Sequence, residues 1–136
     1  MKVDVELLGG SLFEARNAGG ATLRLEGPPD VHGTGSALRP TEALLASLAA
    51  CSGVDVVKIL GQQREPLAGL SIHVEGERAD AVPAVFTTIH LVFTIKGPVH
   101  EGKARRAVAL SAEKYCSISK MLEPSVRITH EVRLAP

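Results

Sequence analysis

The segment RPTEALLASLAACSGVDVVKIL, residues 39–60, contains the longest apolar stretch of the chain. Pro40 suits the first turn of a helix, because the N–H that proline lacks would have no partner there. The negative charge of Glu42 complements the positive N-terminal end of such a helix. The segment is apolar on most sides, so it predicts a helix from Pro40 to about Gly61 that passes through the middle of the molecule.

Two charged residues inside this segment, Asp55 and Lys58, favour the buried helix of a soluble protein over a membrane span. The N-terminal residues MKVDVELLGG contain no apolar run long enough for a signal peptide. We therefore expect a cytoplasmic protein with no membrane partner. In that reducing compartment two cysteines are more often free or catalytic than joined in a permanent disulfide.

Alternating apolar and polar residues predict strands on both sides of the central helix. The predicted strands are residues 3–7, 11–16, 21–27, 70–78, 89–97 and 125–134, and the later helices are residues 101–116 and 117–122. The order βββ-α-ββ-α-α-β predicts an α+β fold of antiparallel sheets around a buried central helix, in a single domain of residues 1–136. Three short strands cannot bury both their faces and their edges alone. The central helix is also too apolar to face water, so we expect a homodimer.

The composition argues against a nucleic-acid-binding protein. Fifteen basic and fifteen acidic residues cancel, and aromatic residues make up only 3% of the chain. Nucleic-acid binding would need a basic surface, and base stacking would need aromatic side chains. An aliphatic core of Leu, Val, Ile and Ala follows from the same composition.

The two cysteines, Cys51 and Cys116, are 65 residues apart, and each lies in or beside a predicted helix. Cys116 precedes SISKML, so the start of that helix would direct N–H groups at its sulfur and favour a thiolate. The alternative is that both are small buried side chains without chemistry. No Cys-x-x-Cys or His-x-x-x-His pair is present, so we expect neither a metal nor a cofactor.

Two further features have ordinary structural interpretations. His130 falls on the apolar face of the last predicted strand, where a core histidine is more common than a general base. The sequence GTGS, Gly33–Ser36, lacks the Lys that follows the glycines of a phosphate-binding loop, so it predicts a turn.

The segments RPTEALLASLAACSGVDVVKIL and AVALSAEKYCSISKML together resemble the OsmC/Ohr family of hydroperoxide-detoxifying proteins. The resemblance covers essentially the whole chain and implies an intertwined homodimer with active sites near the interface. It implies that Cys51 attacks an organic hydroperoxide, forming a sulfenic acid and releasing an alcohol. Cys116 would then condense with the sulfenic acid to a disulfide, which an external thiol reduces.

The sequence departs from the family pattern beside the catalytic cysteine. Family members carry a Glu directly after the Pro, where this chain has Thr41, and Glu42 comes one residue later. One residue rotates a helical side chain by about 100°, so Glu42 need not reach the same place. The family's Arg that faces the thiolate has three candidates here, Arg39, Arg16 and Arg24.

Two other functions remain open from the sequence. One is a binding protein of the same fold, which holds a small apolar ligand and whose cysteines do not turn over. The other is a thiol enzyme that acts on a different electrophile. An activating Arg–Glu pair would favour the peroxidase over the binding protein.

Overall fold

The helices and strands follow the order predicted from the sequence. The computed structural model describes residues 1–136 and contains two units, Met1–Leu44 and Leu45–Pro136. The strands are β1 (Val3–Gly9), β2 (Leu12–Asn17), β3 (Thr22–Glu26), β4 (Gly69–Arg78), β5 (Phe86–Lys96) and β6 (Arg127–Ala135). The helices are α1 (Pro40–Gln62), α2 (Glu101–Leu110) and α3 (Ser117–Leu122), with a 3₁₀ turn at Pro29–Val31 and a π-helical turn at Ser111–Tyr115. The predicted α+β class is confirmed.

The N-terminal unit is built on an antiparallel meander in the order β1-β2-β3. Gly10, with a φ of 56°, makes the turn between β1 and β2, where a Cβ would be strained. Every residue of β1 is exposed, including Val3, Val5 and Leu7. This sheet therefore leaves apolar surface uncovered within a single chain.

The loop after β3 is folded around a buried carboxylate. Glu26 is only 3% exposed. It accepts hydrogen bonds from the Thr34 amide at 2.8 Å and the Ser36 amide at 3.2 Å, and from both hydroxyls. Burial raises the pKa of Glu26, but the hydrogen bonds from Thr34 and Ser36 outweigh it and hold that pKa below its usual value. The Gly33–Ser36 segment is thus a turn, as predicted, and its donors bind the chain's own carboxylate.

Helix α1 begins with a side-chain cap from Glu42. The backbone N–H of Arg39 donates to the Glu42 carboxylate at 2.9 Å, and the Arg39 carbonyl accepts from the Ala43 amide at 2.9 Å. A Glu at the third helical position that binds the N-cap amide is one half of a capping box. Glu42 thus satisfies an amide that the helix itself cannot pair.

One face of α1 lies in the core of the C-terminal unit, where Leu48, Val56 and Leu60 are fully buried. Another face is exposed in the single chain, with Val54 67% and Val57 52% accessible. By length and composition alone α1 could cross a membrane, and a third of its most apolar window is buried. The core helices of soluble proteins meet the same criterion, and Asp55 in this helix is hydrogen-bonded to Ser111.

The C-terminal sheet has the order β4-β5-β6. Ile89, Leu91, Phe93 and Ile95 alternate along β5 and are buried against α1 and α2. Strand β4 pairs with β5 antiparallel, but β6 pairs with β5 parallel, so this sheet is mixed where antiparallel sheets were predicted. The reason is the connection: α2 and α3 lie between β5 and β6, and a helical crossover returns the chain in the same direction.

The predicted helix of residues 101–116 is regular only to Leu110 and continues as a π-helical turn from Ser111 to Tyr115. Its final amide, on Cys116, donates to the Ser111 carbonyl at 2.9 Å. The wider turn delivers Cys116 to the start of α3 in an extended conformation. Single π turns inside α-helices occur frequently at functional sites.

Candidate thiol site

The two cysteines approach each other from different elements of the C-terminal unit. Cys51 lies in the middle of α1 and is half-buried, whereas Cys116 precedes α3 and is completely buried. Both are free thiols. Cys51 packs against the buried cluster that contains Cys116, and it lies close enough to raise the pKa of Cys116.

Two hydrogen-bond donors hold the Cys116 sulfur. The Ser52 hydroxyl donates to it across 3.3 Å, and the backbone amide of Ser119 donates across 3.4 Å. The Ser119 bond makes Cys116 the N-cap of α3, so the sulfur takes the place of the usual capping oxygen. Ser52 directly follows Cys51 in α1. One of these adjacent residues therefore carries the first thiol, and the other binds the sulfur of Cys116.

Opposing effects act on the protonation of Cys116. Burial, the largest effect, raises the pKa of the Cys116 thiol above its usual value. The hydrogen bonds from Ser52 and Ser119 lower it, and the neighbouring Cys51 thiol raises it again. The net result is a raised pKa, so Cys116 is a neutral thiol at neutral pH.

Ser111, in the π-helical turn, ties that turn to α1. Its hydroxyl donates to the Asp55 carboxylate at 2.9 Å and approaches the Ser52 carbonyl at 3.4 Å. Because the Cys116 amide binds the Ser111 carbonyl, this contact fixes the segment before Cys116 against the helix that carries Cys51. The position of one cysteine is therefore coupled to that of the other.

A small cavity of about 240 Å³ lies beside the two donors, Ser52 and Ser119. Leu48, Leu91 and Phe93 supply apolar wall. His130, which was predicted on an apolar strand face, also lines this cavity but is exposed to solvent. Of the ionisable side chains, Glu123, Arg127 and His130 line it.

The residues predicted to support the thiolate lie in the N-terminal unit and have partners there. Arg16 and Arg24 both bind Glu14, at 2.9 and 3.2 Å, and more than half of each arginine side chain is exposed. Glu42 binds the backbone amide of Arg39, not its guanidinium. A pair between the side chains of Glu42 and Arg39 is not formed.

Ser52, Ser111 and Ser119 were not predicted as site residues from the sequence. The available signal was a polar residue at a position where the helical pattern calls for an apolar one. Ser52 interrupts an Ala/Leu-rich run, and all three serines are buried. A buried hydroxyl needs a hydrogen-bond partner, and for Ser52 that partner is a sulfur.

The comparisons with known proteins agree with this architecture. The family model for OsmC-like proteins matches residues 33–131. Protein YhfA of Escherichia coli K12 is 35% identical over 131 residues, which cover 96% of this chain and 95% of that protein.

Solved structures show the same fold. A hypothetical protein from Aquifex aeolicus VF5 is 31% identical, with a TM-score of 0.84, over 99% of this chain and 97% of that one. An organic hydroperoxide resistance protein OsmC from Legionella pneumophila, 22% identical, superposes with a TM-score of 0.72 over 98% of this chain and 97% of that one. The family model spans most of the chain, and the chain belongs to the OsmC-like family.

Proposed function

We propose that the protein is a thiol-dependent peroxidase that reduces organic hydroperoxides in the defence against oxidative stress. The observation that carries this proposal is that two free thiols, 65 residues apart in the sequence, belong to one packed cluster and that Cys51 raises the pKa of Cys116. Membership of the OsmC-like family supports it, because solved relatives of the same fold include organic hydroperoxide resistance proteins.

The reaction assigns one role to each cysteine. The Cys51 thiolate attacks the distal peroxide oxygen, the O–O bond breaks, and the leaving alkoxide takes a proton to become an alcohol. Cys51 is then a sulfenic acid. The Cys116 sulfur displaces its hydroxyl, which leaves as water, and a disulfide forms. Two equivalents of an external thiol reduce the disulfide and are themselves oxidised.

Burial supports this assignment of roles. Cys51 is half-buried and accessible to a peroxide, whereas Cys116 is completely enclosed within the cluster against which Cys51 packs. A buried neutral thiol is protected from direct oxidation, because the thiolate is the reactive form. Cys116 therefore becomes a nucleophile only when it meets the sulfenic acid beside it.

The small cavity supports an organic substrate. Its apolar side chains Leu48, Leu91 and Phe93 favour an alkyl or aryl group over hydrogen peroxide, because the transfer of apolar surface from water to an apolar environment is favourable.

We propose Arg39, Arg16 or Arg24 as the cation that faces Cys51, with Glu42 as a supporting residue.

We further propose that the protein works as an intertwined homodimer in the cytoplasm. Support comes from the exposed side of α1, where a groove of about 660 Å³ carries almost only apolar side chains. Its walls include Ala49, Val54, Val57, Leu67, Leu70 and Ile72. Exposed patches of this kind mark association surfaces.

The proposed activity is tested by peroxide consumption with tert-butyl hydroperoxide and dithiothreitol. The wild type should turn over, and faster than with hydrogen peroxide. Cys51→Ser should abolish turnover, because a hydroxyl is far less nucleophilic and cannot form a sulfenic acid. Cys116→Ser should still consume the first equivalent of peroxide and then stop or over-oxidise. Equal rates of peroxide consumption in the wild type and Cys51→Ser would refute the proposed peroxidase activity.

A binding protein of the same fold is the second candidate. The observation in its favour is that Glu42 caps α1 while Arg16 and Arg24 pair with Glu14. In that arrangement no Arg–Glu side-chain pair of the type expected from the family is present to activate Cys51. The Cys51→Ser comparison separates the two candidates, because a binding protein loses no turnover.

A further inference from the structure

A second cavity in the C-terminal unit carries positive charge. It has a volume of about 590 Å³, and we call it the charged pocket. Lys58, Gln62 and Gln63 line it from the end of α1 and the residue that follows, and Arg106 lines it from α2. Ile59 and Leu110 supply apolar wall. The pocket therefore offers two cations and two amides around a partly apolar space.

The lining of the charged pocket begins at Asp55, about one turn of α1 beyond Cys51. Cys51, Asp55, Lys58 and Gln62 are spaced by three or four residues, so they share one face of α1. The last three of them line the pocket. On its other side the pocket is lined by Tyr115, the residue before Cys116. Lys58 is seven residues from Cys51, which is roughly 10 Å at 1.5 Å per residue.

The cations of the pocket outnumber its single carboxylate, that of Asp55. Neither Lys58 nor Arg106 forms a salt bridge: Glu101 pairs with the neighbouring Arg105, and the Asp55 carboxylate is held by the Ser111 hydroxyl. The side chains that line the pocket therefore carry two positive charges against one negative charge. A planar guanidinium and an ammonium that face one cavity suit a carboxylate.

We propose that the charged pocket binds the carboxylate of a small molecule whose other end reaches the cysteine pair, with Lys58 and Arg106 as its ligands. The inference rests on the proposed thiol chemistry for the identity of the reacting end. Two reactants of that chemistry, the hydroperoxide and the reducing thiol, can carry such a carboxylate. The rise of roughly 10 Å between the Cα atoms of Cys51 and Lys58 sets the order of magnitude for the length of that molecule.

Binding is measured without turnover, because the chain has one tyrosine and no tryptophan, and that tyrosine, Tyr115, lines the charged pocket. Its fluorescence is followed while octanoate or the neutral octanamide is added. Octanoate should bind about tenfold more tightly than octanamide, because bonds to charged groups are the stronger ones. Lys58→Gln and Arg106→Gln should each remove most of that difference.

The matched control is Lys96→Gln, which removes an exposed lysine at the end of β5 and should leave the octanoate affinity unchanged. Equal affinities for octanoate and octanamide, absence of saturation, or equal losses in Lys58→Gln and Lys96→Gln would each overturn the proposal.

Two kinetic arms then identify the reactant. In one, a hydroperoxide with a terminal carboxylate is compared with its methyl ester. In the other, a carboxylate-bearing thiol reductant is compared with its ester. In one of these two arms the carboxylate should have a higher kcat/KM than its ester, which identifies the reactant that the pocket binds. Lys58→Gln should raise the KM of that carboxylate about tenfold and leave the KM of its ester unchanged.

The two proposals fail differently. If octanoate binds as expected but no peroxide is consumed, the proposed peroxidase activity is refuted and the proposed carboxylate site is still supported. If peroxide is consumed but kcat/KM is equal for the carboxylate and its ester in both arms, the peroxidase activity is supported. The proposed link between the charged pocket and the cysteines is then refuted.

Discussion

The Ser52 hydroxyl donates a hydrogen bond to the Cys116 sulfur over 3.3 Å, while the residue before Ser52 is the other cysteine. One turn of α1 therefore carries the proposed attacking thiol and a donor that binds the proposed resolving thiol. Ser111 reinforces this arrangement from the π-helical turn through its bonds to Asp55 and the Ser52 carbonyl. Two serines thus link the helix that carries Cys51 to the segment that carries Cys116.

Replacing Ser52 with alanine should make Cys116 a poorer nucleophile. The Ser52 bond lowers the pKa of Cys116 against burial, which raises it, so its loss should leave less thiolate at a given pH. A hydrogen bond of about 1 kcal/mol corresponds to a roughly fivefold change. We expect closure of the Cys51–Cys116 disulfide after a peroxide pulse to slow by about that factor, measured by quenched-flow mass spectrometry.

The control for this variant is Ser117→Ala, which removes an exposed hydroxyl next to Cys116 and should close the disulfide at the wild-type rate. The first oxidation, at Cys51, should be equally fast in Ser52→Ala and the wild type. Unchanged closure in Ser52→Ala would show that its hydroxyl does not tune Cys116.

The stability of the reduced protein should depend on pH through Cys116. The folded pKa of this thiol is raised, so above the ordinary thiol pKa of about 8.5 the unfolded chain releases its proton first. The free energy of unfolding should therefore fall from about pH 8.5 upward, until the folded thiol also ionises. Urea unfolding of the wild type and Cys116→Ser, both kept reduced, measures this fall.

The comparison isolates one group, because Cys116 is the only side chain that differs between the two proteins. The wild type should show the steeper decline with pH, and the Cys116→Ser curve should be flatter. Parallel curves for the two proteins would contradict a raised pKa at Cys116.

The buried carboxylate of Glu26 should stabilise the N-terminal unit in a pH-dependent way. Its folded pKa is lowered from an ordinary value of 4.5, so the stabilisation is present above that value and is lost as pH falls through the folded pKa. Glu26→Gln removes the negative charge to which the Thr34 and Ser36 amides donate hydrogen bonds. We expect its melting temperature at pH 7 to fall by about 5 °C.

Glu6→Gln, on the exposed strand β1, is the matched control and should melt like the wild type. The difference between Glu26→Gln and the wild type should shrink as the pH is lowered below 4. A difference that stays constant down to pH 2 would show that the charge of Glu26 is not what stabilises the loop.

The order of the elements and the approximate position of each were predictable because they follow from local pattern. Period-two alternation located the strands, and Pro40 located the start of α1, which the structure confirms. The parallel pairing of β5 and β6 was missed, although two helices between strands allow a crossover. The π-helical turn could not be predicted from periodicity, since Ser111 is held by Asp55 on a distant element.

The candidate site was predictable only where it follows from local sequence motifs. The motifs around the cysteines identified Cys51 and Cys116 as candidates, but their surroundings depend on tertiary contacts. That Ser52 faces a sulfur follows from the packing of α1 against the turn before α3, which is not encoded in local pattern. The roles of Arg39, Arg16, Arg24 and Glu42 toward Cys51 stay predictions.

A negative charge in the apolar groove of α1 should dissociate the proposed homodimer. Val57 is 52% exposed in the single chain and lines that groove with Val54 and Leu70. An aspartate there would be buried without a partner if a second copy covers the groove, which costs several kcal/mol. Val57→Asp should therefore sediment as a monomer at micromolar concentration, where the wild type sediments as a dimer. Val85→Asp, which charges an equally exposed valine in the β4–β5 connection, should remain dimeric. A wild type that sediments as a folded monomer would end the homodimer proposal, and a dimeric Val57→Asp would place the interface elsewhere.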